Sequence, residues 1–255
     1  MNYKLEGSGE TLVFIHGLSD NLLYWELLAS DLKKSYQILR IDLRGHGGSE
    51  LGSDEITLDT YVQDLKNLLD ELKIQNVNLI GFSLGGIVAL DFIRRYPEAV
   101  SSLVLMSSFY KVDSPLEDVF AQFRNALEKS FGEFYDLILP MVLCPEVIEN
   151  NREELKFLKE IASETANTEA YIKAIDASSN VNFERLLSQI DVPTLILAGK
   201  YDEITSLDSQ KDLQSKVKNS RIIIFDDTKH NLLVGKNNVE IIGILKNFYK
   251  KRNEE

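Results

Sequence analysis

Short apolar runs recur along the chain, separated by longer stretches in which apolar residues return every three or four positions. The runs are TLVFI (11–15), QILRI (37–41), NVNLI (76–80), SLVLM (102–106), TLILA (194–198) and RIIIF (221–225). Their length and branched side chains predict strands buried on both faces, as in a parallel sheet. Between them, TLDTYVQDLKNLLDELKI sets Leu58, Tyr61, Val62, Leu65, Leu68, Leu69 and Leu72 on one helical face, with Thr57 as its cap. Residues 84–96 are apolar nearly all round and stop before Pro97, which predicts a buried helix. Alternating strands and helices of this kind imply an α/β class, a mostly parallel twisted sheet with helices on both faces and right-handed crossovers.

Residues 110–187 break the rhythm. No buried-strand run occurs there, and Gly132 is the one glycine between Gly86 and Gly199. SPLE at 114–117 offers Ser114 as a cap, Pro115 at the first helical position and Glu117 three residues after the cap. The helix it opens carries Val119, Phe120, Phe123 and Leu127, and further helices are expected over 152–164, 169–177 and 183–189. The segment leaves after SLVLMSS, at the carboxyl end of a strand, where open α/β sheets place their ligands. The expectation is a helical cap, 110–187, inserted in a core made of 1–109 and 188–255.

Polar residues with chemical potential follow the strands. His16 and Gly17 follow the first run, Asp42 and LRGHGGS the second, Ser83 the third, Ser107 and Ser108 the fourth, Asp202 the fifth and His230 the sixth. Residues 81–85 read Gly-Phe-Ser-Leu-Gly, and glycines two before and two after a serine relieve the clashes of a strained strand-to-helix turn. A serine hydroxyl needs a general base, normally histidine. Of the three histidines, His16 and His46 precede Ser83, whereas His230 follows the last strand. An acid must then orient the imidazole from another strand end. Asp202 meets that requirement better than its neighbour Glu203, or than Asp226 and Asp227 beside His230 in sequence. Reading GFSLGG as a dinucleotide loop fails, because Ser83 stands where the second glycine of GxGxxG is required.

Taken in order, FIHGLSD, DLRGHGGS, GFSLGG, LAGKYDE and DTKHN resemble the α/β-hydrolase fold superfamily over nearly the whole chain. That family usually has two strands before its His-Gly strand, and NYKLEG leaves room for one. The resemblance implies a helical cap after the sixth standard strand and an oxyanion hole from the backbone N–H groups of Leu18 and Leu84. It makes His16 and the loop 44–49 architectural. It also implies a serine hydrolase that cleaves a carboxylic ester, lactone or thioester through an acyl-enzyme on Ser83, with His230 as base and Asp202 as orienting acid. Small esterases, enol-lactonases of the 3-oxoadipate type and the cofactor-free haloperoxidase branch are nearest in motif. Carbon–carbon bond hydrolases, perhydrolase activity on the same triad, and a non-catalytic small-molecule binding protein on the same fold stay open. A serine nucleophile argues against haloalkane dehalogenases and epoxide hydrolases, which use Asp. Phe109 and Tyr110, where the cap begins, and Phe120 and Phe123 within it are the candidate substrate contacts. Trp25, Phe131 and Phe134 are expected in the core.

Composition narrows the partners. A formal charge of −12 disfavours nucleic acid and anionic membranes. A start without a basic, apolar leader, the lack of a membrane-length apolar segment and a single cysteine, Cys144, lead to the expectation of a cytoplasmic protein. Cys144 is expected to be buried and unreactive. No cofactor and no metal are expected. The expected partner is a small-molecule acyl substrate, and the oligomeric state is open.

Overall fold

The computed structural model describes residues 1–53 and 55–252, with side chains to Lys250. The glutamates that close the basic C-terminal stretch lie outside the described residues. Seven strands form one sheet among the described residues: β1 (Tyr3–Glu6), β2 (Thr11–Ile15), β3 (Gln37–Ile41), β4 (Val77–Phe82), β5 (Val100–Met106), β6 (Thr194–Gly199) and β7 (Ser220–Phe225). Their order is β1-β3-β2-β4-β5-β6-β7. β1, the single strand that NYKLEG had room for, pairs antiparallel with β3, and every other pairing is parallel.

The doubly apolar runs follow from two-sided burial, except in β7, an edge strand in which Ile222 and Ile223 are half-buried and Ile224 is exposed. Along β2, Val13 and Ile15 pack on one face with helices α2 (Leu58–Glu71) and α3 (Leu84–Arg95), while Leu12 and Phe14 pack on the other. That second face is covered by α1 (Glu26–Leu32) and α11 (Asn237–Arg252), through Leu28, Leu32, Leu245 and Tyr249. Thr57 caps α2 as expected, in a reciprocal capping box with Thr60.

Between β5 and β6 the chain is helical: α4 (Ser114–Lys129), α5 (Phe131–Val142), α6 (Pro145–Asn150), α7 (Arg152–Thr165), α8 (Thr168–Ser178) and α9 (Glu184–Leu187). Helix α10 (Leu207–Lys216) then joins β6 to β7. The cap of α4 is Asp113 and not Ser114. The Asp113 carboxylate accepts from Leu116 N at 3.2 Å, so the helix starts one residue before the place the SPLE pattern marks. Helices α5 and α6 were not expected. Three bonds tie their junction to the loop after β7: Asn231 N to Val142 O (3.0 Å), Lys229 Nζ to Pro140 O (2.7 Å) and a weak one from Cys144 Sγ to Asp227 O (3.5 Å). No described helix is long and apolar enough to cross a membrane.

The order of the central strands positions the site. From β2 the chain moves to one side, to β3, and then crosses to the other side, to β4, which opens a crevice beyond their carboxyl ends.

A cation on β3 is part of the core. The side chain of Arg40 on β3 is fully buried and pairs with Glu6 (2.6 Å) and Glu26 (2.7 Å). Lys33 and Arg40 together hold the Glu6 carboxyl down to about 2. Removing both acids by Glu6→Ala and Glu26→Ala strands a buried guanidinium and is expected to lower unfolding free energy by about 3–5 kcal/mol. Adding Arg40→Met is expected to recover much of that loss, as read from urea denaturation midpoints.

Candidate active site

Ser83 stands between β4 and α3 with φ 50° and ψ −114°, a left-handed conformation that costs a side-chain-bearing residue about 1–3 kcal/mol. Its backbone is pinned. Ser83 N donates to Met106 O (3.0 Å), and Ser83 O accepts from Gly86 N and from Ser108 Oγ, each at 2.9 Å. Glycine is required around it, because a Cβ on Gly81 would overlap the Gly85 carbonyl and one on Gly85 the Ile15 carbonyl. Serine at a helix N-cap normally spends its hydroxyl on the first-turn N–H groups. Ser83 makes no such bond, so its hydroxyl is not spent on the helix.

Asp202 and His230 come together from the ends of β6 and β7. His230 Nδ1 donates to Asp202 Oδ2 at 2.8 Å, which leaves Nε2 as the acceptor nitrogen. The Asp202 side chain is fully buried. Its Oδ1 accepts from Ile204 N and Thr205 N, and Oδ2 also accepts from Thr205 Oγ1, all at 2.8 Å. The carboxylate therefore has a donor for each lone-pair direction and a fixed orientation. Glu203 points elsewhere, to Lys229, and Asp226 pairs with Lys200.

Ser83 and His230 share the wall of one cavity of about 560 Å³. Leu18 and Leu84 line it too, Leu84 as the first residue of α3, where backbone N–H groups lack acceptors inside the helix. Most of the wall is apolar and comes from α4, α5, α7 and α8, including Phe120, Phe123, Phe134, Ile138 and Ile161, and Phe109 joins it from the segment after β5. The Phe82 ring packs against the imidazole of His230, centroids 5.1 Å apart.

Comparison with known proteins agrees with this architecture. The alpha/beta hydrolase fold family matches residues 10–236. The chain belongs to the α/β-hydrolase family. It is similar to a pimeloyl-(acyl-carrier protein) methyl ester esterase of Photobacterium profundum, 26% identical over 254 residues, 97% of this chain and 98% of that protein. It is also similar to the non-heme chloroperoxidase CPO-A1 of Kitasatospora aureofaciens, 24% identical over 246 residues, 90% of this chain and 88% of that protein. The crystal structure of the enol-lactonase from Burkholderia xenovorans LB400 shares the fold, with TM-score 0.89, 21% identity and coverage of 98% of this chain and 96% of that one. This α/β-hydrolase is an enzyme of a family that includes esterases.

Several residues of the α/β-hydrolase lie where the sequence did not put them. Tyr110 is not on the cavity wall. Its hydroxyl donates to the Asp212 carboxylate on α10 and its carbonyl accepts from Phe183 N at 2.7 Å, so it ties the start of the helical segment to α10 and to the segment's own end. Phe131 and Phe134 are buried as expected, yet both also line the cavity. Cys144 is only half-buried, because it precedes the short α6 at the surface end of α5. Sequence reasoning also missed Asp20, Tyr171 and Asn231 on the wall, and Gln210, whose side-chain amide donates to Ser108 O behind the Ser83 turn. Asp20 lies in the quoted motif FIHGLSD, and that was the available signal. Burial pushes its carboxyl up to about 7, with His230 pulling the other way.

The loop after β3 is architectural in this α/β-hydrolase. His16 is fully buried, its Nδ1 donating to Gly17 O (2.7 Å) and its Nε2 accepting from Leu43 N (3.0 Å). Asp42 accepts from Leu22 N (2.6 Å) and Gly48 N (2.7 Å). Gly47, at φ 52°, leaves no space for a Cβ against that carboxylate. Burial holds His16 to about 4, and burial together with neighbouring His16 holds His46 to about 3.

An unfolded imidazole titrates near 6.5, so below that pH the unfolded chain binds more protons than the folded one. Both histidines therefore contribute stability that is complete above about 6.5 and drains away as pH falls toward 4. Asp20 acts with the opposite sign, one group against two. The urea midpoint is expected to fall between pH 6.5 and 4, and to fall less in His46→Gln.

Proposed function

We propose that this α/β-hydrolase cleaves a carboxylic ester, or the related lactone or thioester, through an acyl-enzyme on Ser83. One observation carries the reading. A serine held at φ 50°, with its hydroxyl uncommitted to the helix it caps, faces the same cavity as an imidazole whose Nδ1 is fixed by a buried, fully satisfied carboxylate. A purely structural serine at this turn would have capped α3, and a purely structural Asp–His pair would not need its second nitrogen at a cavity.

In the proposed reaction Ser83 Oγ attacks the carbonyl carbon while His230 Nε2 takes the hydroxyl proton. Asp202 holds the ring in place and stabilises the imidazolium that forms. The negative charge that develops on the carbonyl oxygen is assigned to the N–H groups of Leu84 and Leu18. His230 then returns the proton to the departing alkoxide, alcohol or thiol leaves, and the acyl group stays on Ser83. Water attacks that ester with His230 again taking the proton, and the carboxylic acid is released as Ser83 regains its hydrogen. We assign residues 110–187 the role of a cap, because α4, α5, α7 and α8 supply most of the apolar wall facing Ser83. Excluding water there strengthens each electrostatic contribution to the reaction.

A fluorophosphonate probe is expected to label the folded protein at Ser83, with no label in Ser83→Ala; an unlabelled wild type would remove the nucleophile from the scheme. On p-nitrophenyl esters, Ser83→Ala and His230→Ala are each expected to lower kcat by about 10⁶, and Asp202→Asn by about 10⁴. Circular dichroism is expected to show all three folded. Near-wild-type turnover in Asp202→Asn would reassign the acid.

A further inference from the structure

The cavity is electrostatically one-sided. Among the described residues no lysine or arginine lines it, and its one carboxylate is that of Asp20. Asp20 is placed by a tight turn in which Ser19 has φ 60° and Asp20 N donates to Gly17 O at 3.3 Å. The carboxylate folds back toward Gly17, where a Cβ would meet Asp20 Oδ2 at 3.3 Å. Three titratable groups act on it or feel it: His230 from the loop after β7, Tyr24 from the 3-10 turn Leu22–Trp25, and Tyr171 from α8. Neither tyrosine brings a positive charge. The nearest lysine in sequence to His230, Lys229, is engaged by Pro140 O and Glu203.

An anionic ligand entering this space would leave water for an apolar wall and find no cation. Burying an unpaired carboxylate costs several kcal/mol, and a like charge close by adds to that. A neutral acyl chain meets the opposite situation, because Phe120, Phe123, Phe134, Ile138 and Ile161 offer it apolar surface.

We propose that the site accepts neutral, apolar acyl groups and rejects acyl groups that carry a carboxylate, and that Asp20 is the residue that reinforces this selectivity. The inference rests on the ester-hydrolase reading of Ser83. Asp20 sharpens the rejection in a pH-dependent way. With its carboxyl pushed up to about 7, it carries a proton and no charge below that pH and becomes a fixed anion above it. The rejection therefore strengthens as pH rises through about 7.

The test compares p-nitrophenyl hexanoate with mono-p-nitrophenyl adipate, six-carbon acyl groups that end in a methyl and a carboxylate. The readout is the ratio of their kcat/KM values, in which pH effects common to both substrates cancel. At pH 8 wild type is expected to favour the neutral ester by at least about a hundredfold. Asp20→Asn is expected to contract that ratio by about tenfold and to make it the same at pH 6 and pH 8. In wild type the ratio is expected to shrink from pH 8 to pH 6, a measurement that needs no variant. Equal kcat/KM for the two esters in wild type, or a ratio untouched by both Asp20→Asn and pH, overturns the proposal while leaving the serine mechanism standing. Hydrolysis of both esters that persists in Ser83→Ala overturns the serine mechanism and this proposal with it.

Discussion

The left-handed backbone of Ser83 is the constraint on which the carboxyl edge of the sheet depends. A residue held at φ 50° relaxes unless its surroundings forbid it, and here they do so from several directions. β5 holds its N–H through Met106, α3 holds its carbonyl through Gly86, and Ser108 holds the same carbonyl from the far side, itself braced by Gln210 on α10. β2 closes the remaining space by pressing the Ile15 carbonyl against Gly85. Four elements far apart in sequence thus meet at one turn, which explains why three glycines occur within six residues there.

Features written by local periodicity were the most legible in the sequence. Five of the six strands were readable because burial on both faces leaves an unbroken apolar run, whereas β7 keeps the run RIIIF at the sheet edge with Ile224 exposed, and the α2 cap was readable because Thr57 and Thr60 act within one turn. The order serine, aspartate, histidine after successive strands was readable because every parallel strand delivers its last residue to the same edge. Features set by tertiary packing were less so. Helix α5 carries Gly132 near its start and Pro140 within it, both poor helix signals, although Ser130 and Glu133 provide an N-terminal signature. Tyr110 was misplaced because an aromatic at the start of a helical insert has the same sequence signature whether it faces a ligand or, as here, an aspartate on α10. Asp20 was passed over for a similar reason: a carboxylate in a turn gives no sequence sign of desolvation, which arises from how α8 and the loop after β7 close around it.

The cavity wall divides by origin. Its polar groups come chiefly from turns at the ends of β2, β4 and β7, with Tyr135, Thr165, Tyr171 and Ser178 added from the helices. Its apolar groups come chiefly from helices between β5 and β6, and of these α7 has no fully buried residue at all. Leu158 and Ile161 on α7 both line the cavity and remain 46% exposed, so this part of the wall is also outer surface. Polarity thus sits mainly on the sheet edge, and shape on the layer with least packing to resist change.

The three bonds between the end of α5 and the segment 227–231 have a mechanical consequence. Val142 and Pro140 carry cavity-wall helix on one side of those bonds, and Lys229 and Asn231 flank His230 on the other. Helix and imidazole are therefore yoked. A displacement of α5 that widens the cavity pulls on the residues either side of the ring, while the grip of Asp202 on Nδ1 resists from beneath. The wall helix and the imidazole share one joint, so the cavity cannot widen there without loading the hydrogen bond between His230 and Asp202.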